Sequence, residues 1–127
     1  MTPKPIGPTA HVAIDYAFVS TNFLAPGLFG LTGAAKALCY FFGGTQGVIN
    51  ALTDNRLGVK RLIPLHVHGQ LETPFVPALL VLPWLAGALR RRNARNYFLA
   101  FFGIALLNFV LTDYQADRRR AGRGSAS

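Results

Sequence analysis

The chain is short of charge. Of its 127 residues only 14% are Asp, Glu, Lys or Arg, against about 25% in an ordinary soluble domain. Apolar residues make up 51%, and the mean hydropathy is +0.32. The remaining charge is also unevenly placed. From Val12 to Ala35 the only charged residue is Asp15; from Ala37 to Thr53 there is none. Leu65 to Leu89 holds only Glu72 besides His66 and His68, and Tyr97 to Thr112 holds nothing ionisable but tyrosine. Helices of a soluble bundle each need a polar face, and these segments lack the residues to supply one. A soluble bundle is therefore excluded as an expectation, and a bilayer is the expected solvent.

Other shortages exclude more. A single cysteine, Cys39, leaves no intramolecular disulfide. The sequence has no nucleophile–base pair, no phosphate-cradling glycine loop and no Cys/His zinc-finger spacing, so no enzymatic activity is expected. Acids number five against 13 basic residues, a net charge of +8. The basic residues fall between and after apolar segments, as at Arg90, Arg91, Arg92 and Arg95, or Arg118, Arg119, Arg120 and Arg123. Such positions suit anionic lipid headgroups, and no nucleic-acid partner is expected. The opening, with Pro3, Pro5 and Pro8, does not read as a cleavable signal, and the first apolar run contains Asp15.

What is present is a pattern written twice. His11-Val-Ala-Ile-Asp15 returns as His68-Gly-Gln-Leu-Glu72, each acid four residues after its histidine and so on the same helical face. A proline follows each histidine (Pro26, Pro83), then a glycine (Gly30, Gly87), a Tyr-Phe pair (Tyr40-Phe41, Tyr97-Phe98) and a closing Leu-Thr-Asp (Asp54, Asp113). Four of the five acids thus sit at matching points of the unit. Each unit is long enough for two spans of about 20 residues. The expected fold is all-α: an integral membrane four-helix bundle built from two tandem two-helix repeats. An even number of spans per repeat inserts both copies in the same sense, with a pseudo-two-fold axis along the membrane normal.

The expected divisions are a lead at 1–10, a first transmembrane repeat at 11–54, an interfacial connection at 55–64, a second repeat at 65–113 and a basic flexible tail at 114–127. The helices are expected at about 11–30, 34–54, 65–89 and 94–113. Gly43, Gly44 and Gly47 would let the first two helices approach closely. Pro74, Pro77 and Pro83 predict a kink or an irregular first half in the third helix. Arg56, Lys60 and Arg61 alternate with Leu57, Val59 and Leu62, as in a short amphipathic segment at the headgroups. Counting basic residues gives eight on the face with both termini and five on the other, a balance that favours cytoplasmic termini in a bacterial inner membrane.

Ala25-Pro26-Gly27-Leu28-Phe29-Gly30 and Leu82-Pro83-Trp84-Leu85-Ala86-Gly87 resemble the signature of the SPW-repeat family of small bacterial membrane proteins. The proline and final glycine occur in both copies, the tryptophan in one and the serine in neither. The resemblance covers residues 11–113 and implies four transmembrane helices; it implies no activity.

This topology sends His11, Asp15, Asp54, His68, Glu72 and Asp113 toward one membrane face. The expected role is a polar layer in which Asp54 and Asp113 cap neighbouring helix starts. The protein would then be a non-catalytic structural or accessory subunit without a cofactor, packing in the bilayer against itself or a larger membrane complex. The alternative is a site for a transition metal or a haem b, because histidines and carboxylates on facing helices are a ligand set that bundles offer to metals and two histidines can bind haem axially.

Overall fold

The computed structural model describes residues 4–116, 118 and 119. Among them are four α-helices and no strand: α1 (Pro8–Phe29), α2 (Gly33–Ala51), α3 (Leu65–Leu85) and α4 (Arg92–Leu111), with a 3₁₀ turn at Ala88–Arg90 before α4. The expected tail lies largely outside the described residues.

The helix ends follow from local chemistry. Pro8 opens α1, where its missing N–H costs nothing and its fixed φ already suits a helix; the lead is thus shorter than expected. Gly30 ends α1 with φ +65°, and the Leu31 N–H donates to the Pro26 carbonyl at 3.0 Å. Gly87, its counterpart after α3, takes φ +76°. Both glycines of the repeated Pro-x-x-x-Gly motif therefore occupy the left-handed region that a side chain disfavours. Trp84 of the same motif is exposed. The first half of α3 is helical, not irregular, and the helix continues through Pro74, Pro77 and Pro83. Proline's φ is itself compatible with a helix, and each ring removes one N–H from the ladder rather than ending it.

α1 packs chiefly on α2, and α3 on α4, giving two hairpins. The hairpins meet along α2–α3 and α1–α4, which sets α1 and α3 diagonally across the bundle. Within the first hairpin a Cβ on Gly43 would meet the Phe23 ring at 3.0 Å and Asn22 at 3.2 Å, so the missing side chain sets the approach of the helices. Gly47 faces Val19, whereas Gly44 points at open space.

The interior is divided along its length. Toward the short turns, Ala25, Leu31, Ala35, Cys39, Phe42, Leu79, Phe98 and Phe101 form an apolar core. Phe42 stands edge-on to Phe75 and Phe98 there. Toward the other end the buried residues are polar: His11, Asp15, Asn50, Thr53, His68, Glu72, Asn108 and Thr112. The connection from 55 to 64 is irregular rather than helical, and it leaves Leu57, Val59 and Leu62 exposed.

The interhelix contacts at the polar end come in matched pairs. Asp113 N–H donates to the Ile6 carbonyl at 2.9 Å, and Asp54 N–H to the Ile63 carbonyl at 2.6 Å. In return Ile6 N–H reaches Leu111 at 3.1 Å and Ile63 N–H reaches Leu52 at 2.8 Å. The stretch entering α1 is thus fastened to the end of α4, and the stretch entering α3 to the end of α2.

Two glycines of α1 should respond oppositely to alanine. Gly27 is interior, and a Cβ there meets nothing within 4 Å. Gly27→Ala should therefore raise stability by up to about 1 kcal/mol. Gly30→Ala should lower it by about 1–2 kcal/mol because of its positive φ. Thermal unfolding of both variants checks this; equal shifts would refute the helix-end argument.

Candidate metal centre

Four side chains meet in the polar half. His11 and Asp15 are one turn apart on α1, and His68 and Glu72 one turn apart on α3. All four are buried. His11 Nε2 lies 3.1 Å from Asp15 Oδ2 and 3.3 Å from Glu72 Oε1. His68 Nε2 lies 3.0 Å from Asp15 Oδ2 and 3.1 Å from Glu72 Oε1. The two Nε2 atoms are 3.3 Å apart. Each helix of the diagonal pair contributes one nitrogen and one oxygen.

The hydroxyls behind the imidazoles fix their hydrogens. Thr112 Oγ1 is 2.7 Å from His11 Nδ1, and Thr53 Oγ1 is 2.6 Å from His68 Nδ1. Each hydroxyl has a single hydrogen. Thr53 donates its hydrogen to the Ile49 carbonyl at 2.7 Å, and Thr112 donates to the Asn108 carbonyl. Both threonines must therefore accept from the rings, and Nδ1 carries the hydrogen in both histidines. In the neutral imidazole this leaves Nε2 as a bare lone pair aimed at the centre.

The outward carboxylate oxygens are occupied too. Asn108 Nδ2 donates to Asp15 Oδ1 at 3.1 Å, and the Tyr114 hydroxyl donates to Glu72 Oε2 at 2.5 Å. Two lone pairs and two negative oxygens thus converge on one point with every flanking donor already committed. Such a set demands positive charge at its middle, as protons on the two Nε2 atoms or as a cation. The four residues could hold a metal ion.

The shape narrows the choice. In a regular tetrahedron the centre lies about 0.61 edge lengths from each corner. Five of the six donor separations are 3.0–3.3 Å, the four His–carboxylate and the His–His, and all the ligand atoms lie within 4.8 Å of one another; a regular tetrahedron of such edges has its centre about 1.8–2.0 Å from the donors, against zinc bonds of about 2.0–2.2 Å. A square set with the same edges would hold two pairs near 4.4 Å, yet all four His–carboxylate distances and the His–His distance are short. A porphyrin plane cannot pass between two nitrogens 3.3 Å apart that also touch two carboxylates, so the haem alternative does not fit.

Asp54 and Asp113, expected in the same layer, lie outside it. Asp54 is exposed. Asp113 pairs with Arg119, which holds its carboxyl below the usual range. Neither the start of α1 nor that of α3 receives a side-chain cap. The threonine of each Leu-Thr-Asp points inward instead, because adjacent residues at a chain end face opposite ways and only one can reach the imidazole. Sequence reasoning weighed the charged member of that motif and passed over Thr53 and Thr112. Asn108 and Tyr114 also join the site, and neither belongs to the repeated pattern. The repeated threonines were the available signal, since each repeated histidine needs an acceptor for its second nitrogen.

Comparison with known proteins gives no match: no family model fits the chain, and no curated protein or solved structure is similar to it.

Two predictions follow from the network. Thr112→Val keeps the shape but leaves the buried His11 Nδ1–H without an acceptor, and should cost about 1–3 kcal/mol. Asp54→Asn, at an exposed position, should stay within about 0.5 kcal/mol of the parent. Equal effects in thermal unfolding would refute the threonine assignment. For Asp113 the sign is that of a depressed carboxyl. Its contribution is present above the unfolded value of about 3.9 and lost as pH falls through the lower folded value. Asp113→Asn should therefore flatten the loss of melting temperature in that acid window; an unchanged acid limb would remove the Arg119 pairing from the account.

Proposed function

We propose that this chain is an integral membrane protein whose two helical hairpins are clamped by one tetrahedral divalent transition-metal ion, zinc by preference. His11, Asp15, His68 and Glu72 are its ligands, and its role is structural rather than catalytic. The observation that carries the reading is the convergence of two Nε2 lone pairs and two carboxylate oxygens, with all four nitrogen–oxygen separations and the nitrogen–nitrogen separation at 3.0–3.3 Å. A divalent ion with two carboxylates and two neutral imidazoles is electrically neutral, as burial requires. Hard ions such as Mg²⁺ and Ca²⁺ prefer six or more oxygen ligands, and Cu²⁺ prefers a tetragonal set.

The membrane setting is supported by an inverted distribution of polarity. Charged and amide side chains are buried, while Leu24, Leu28, Val48, Trp84, Leu85, Ile104 and Leu107 are exposed. Two helices, α1 and α4, are long and apolar enough to cross a bilayer by themselves. The exposed Leu57, Val59 and Leu62 beside Arg56, Lys60 and Arg61 suit the headgroup layer. The pairing of Ile6 with the end of α4 is matched by that of Ile63 with the end of α2, and the Thr112–His11 contact by Thr53–His68; these equivalences favour the tandem-repeat reading, with its axis along the membrane normal. On this reading the chain acts as a small accessory subunit in a bacterial inner membrane, with cytoplasmic termini. Its outer apolar surface is then available to lipid, to a second copy or to a larger complex.

The test is elemental analysis of protein purified from membranes in mild detergent. One equivalent of zinc is expected, and a chelator should lower the melting temperature by several degrees. Loading with Co²⁺ should give the intense visible bands of a tetrahedral site, lost in His68→Ala. A protein with no stoichiometric metal and no thermal response to added Zn²⁺ would overturn the metal reading. Recovery in the soluble fraction after alkaline extraction of membranes would overturn the membrane reading.

A further inference from the structure

The four ligands do not by themselves explain why the carboxylates offer one oxygen each. A carboxylate can grip a cation through both oxygens, and larger ions favour that mode. Here Asp15 Oδ1 is held by Asn108 Nδ2 at 3.1 Å, and Glu72 Oε2 by the Tyr114 hydroxyl at 2.5 Å. Each donor holds the second oxygen of its carboxylate, and the Tyr114 hydroxyl itself lies 3.5 Å from His11 Nε2, at the edge of the site.

Tyr114 is also seated by a shaped notch. It follows α4, outside any helix, and its ring lies 5.0 Å from that of His11 at 73°. A Cβ on Gly69 would come within 2.8 Å of the Tyr114 ring. The missing side chain at Gly69, one residue after His68, is what lets the ring lie low enough to reach Glu72.

We propose that Asn108 and Tyr114 are selectivity residues: by holding Asp15 and Glu72 monodentate they keep the site four-coordinate and favour Zn²⁺ over ions that seek more oxygen ligands, such as Mn²⁺. This rests on the metal reading above. Neither residue is a ligand, and both act through the carboxylate each one holds.

The experiment measures dissociation constants for Zn²⁺ and for Mn²⁺ on the full chain in detergent, for the parent, Tyr114→Phe and Asn108→Ala. Loss of an outer hydrogen bond to a ligand costs about 10–100-fold in affinity. Zn²⁺ should weaken by that factor while Mn²⁺ holds or tightens, compressing the Mn²⁺-to-Zn²⁺ ratio at least about tenfold. Gly69→Ala, which substitutes neither a ligand nor the tyrosine, should displace the ring and compress the ratio in the same direction. A parallel loss for both ions, with the ratio unchanged, would make Tyr114 and Asn108 merely structural and overturn the selectivity proposal while sparing the metal reading. A parent protein that binds neither ion would overturn both.

Discussion

Two imidazole nitrogens and two carboxylate oxygens, drawn from diagonal helices, converge with every nitrogen–oxygen and the nitrogen–nitrogen separation at 3.0–3.3 Å. Much of the surrounding structure serves to hold that arrangement. The end of α2 delivers Thr53 to His68, the end of α4 delivers Thr112 to His11, and the backbone pairings of Ile6 and Ile63 fasten those chain ends in place. The geometry is costly if the centre carries no positive charge. Acceptors buried in an apolar bundle repel one another, and water is not at hand to screen them.

The diagonal placement gives the centre its leverage. α1 and α2 pack on one another through Gly43 and Gly47, and α3 on α4, so each hairpin has its own interface. α1 and α3 share little else. On the proposed reading, ligands taken two from each hairpin would make one ion a bolt between halves that otherwise meet along thinner seams. In a bilayer the need is greater, because lipid tails are as apolar as the outer helix faces and no hydrophobic effect drives the hairpins together.

The centre was partly legible in the sequence. The His-x-x-x-acid pairs fix two side chains on one face of each helix whatever the tertiary structure, and their return 57 residues later implies equivalent places in the fold. The all-helical architecture was readable from the length and apolar character of the segments. The roles within Leu-Thr-Asp were not, because they depend on which residue faces inward at a helix end, a matter of one register step. Charge drew attention to Asp54 and Asp113, yet burial favours the uncharged threonines where an imidazole N–H needs an acceptor. Asn108 and Tyr114 break the repeat symmetry, so internal comparison could not place them. The proline-rich helix α3 was unpredictable for a different reason: proline fits helical φ, and whether the ladder bends at each missing bond is decided by packing.

For the proposed ion, the same contacts favour a structural site over a catalytic one. Catalytic zinc sites use three protein ligands and leave a fourth position to water or substrate, whereas structural sites fill all four. Here four protein atoms surround the centre, and each of their residues is backed by a further hydrogen bond: the imidazoles donate to Thr53 and Thr112, and the carboxylates accept from Asn108 and Tyr114. A cavity beside Gln46, His68, Glu72 and Phe75 has about 10 Å³, the room of a single water at most. Gln46 Oε1, buried and lacking a protein partner among the described residues, gives such a water one acceptor. An ion in such a site would be exchanged only by opening the bundle, which is the behaviour a bolt requires and an active site cannot tolerate.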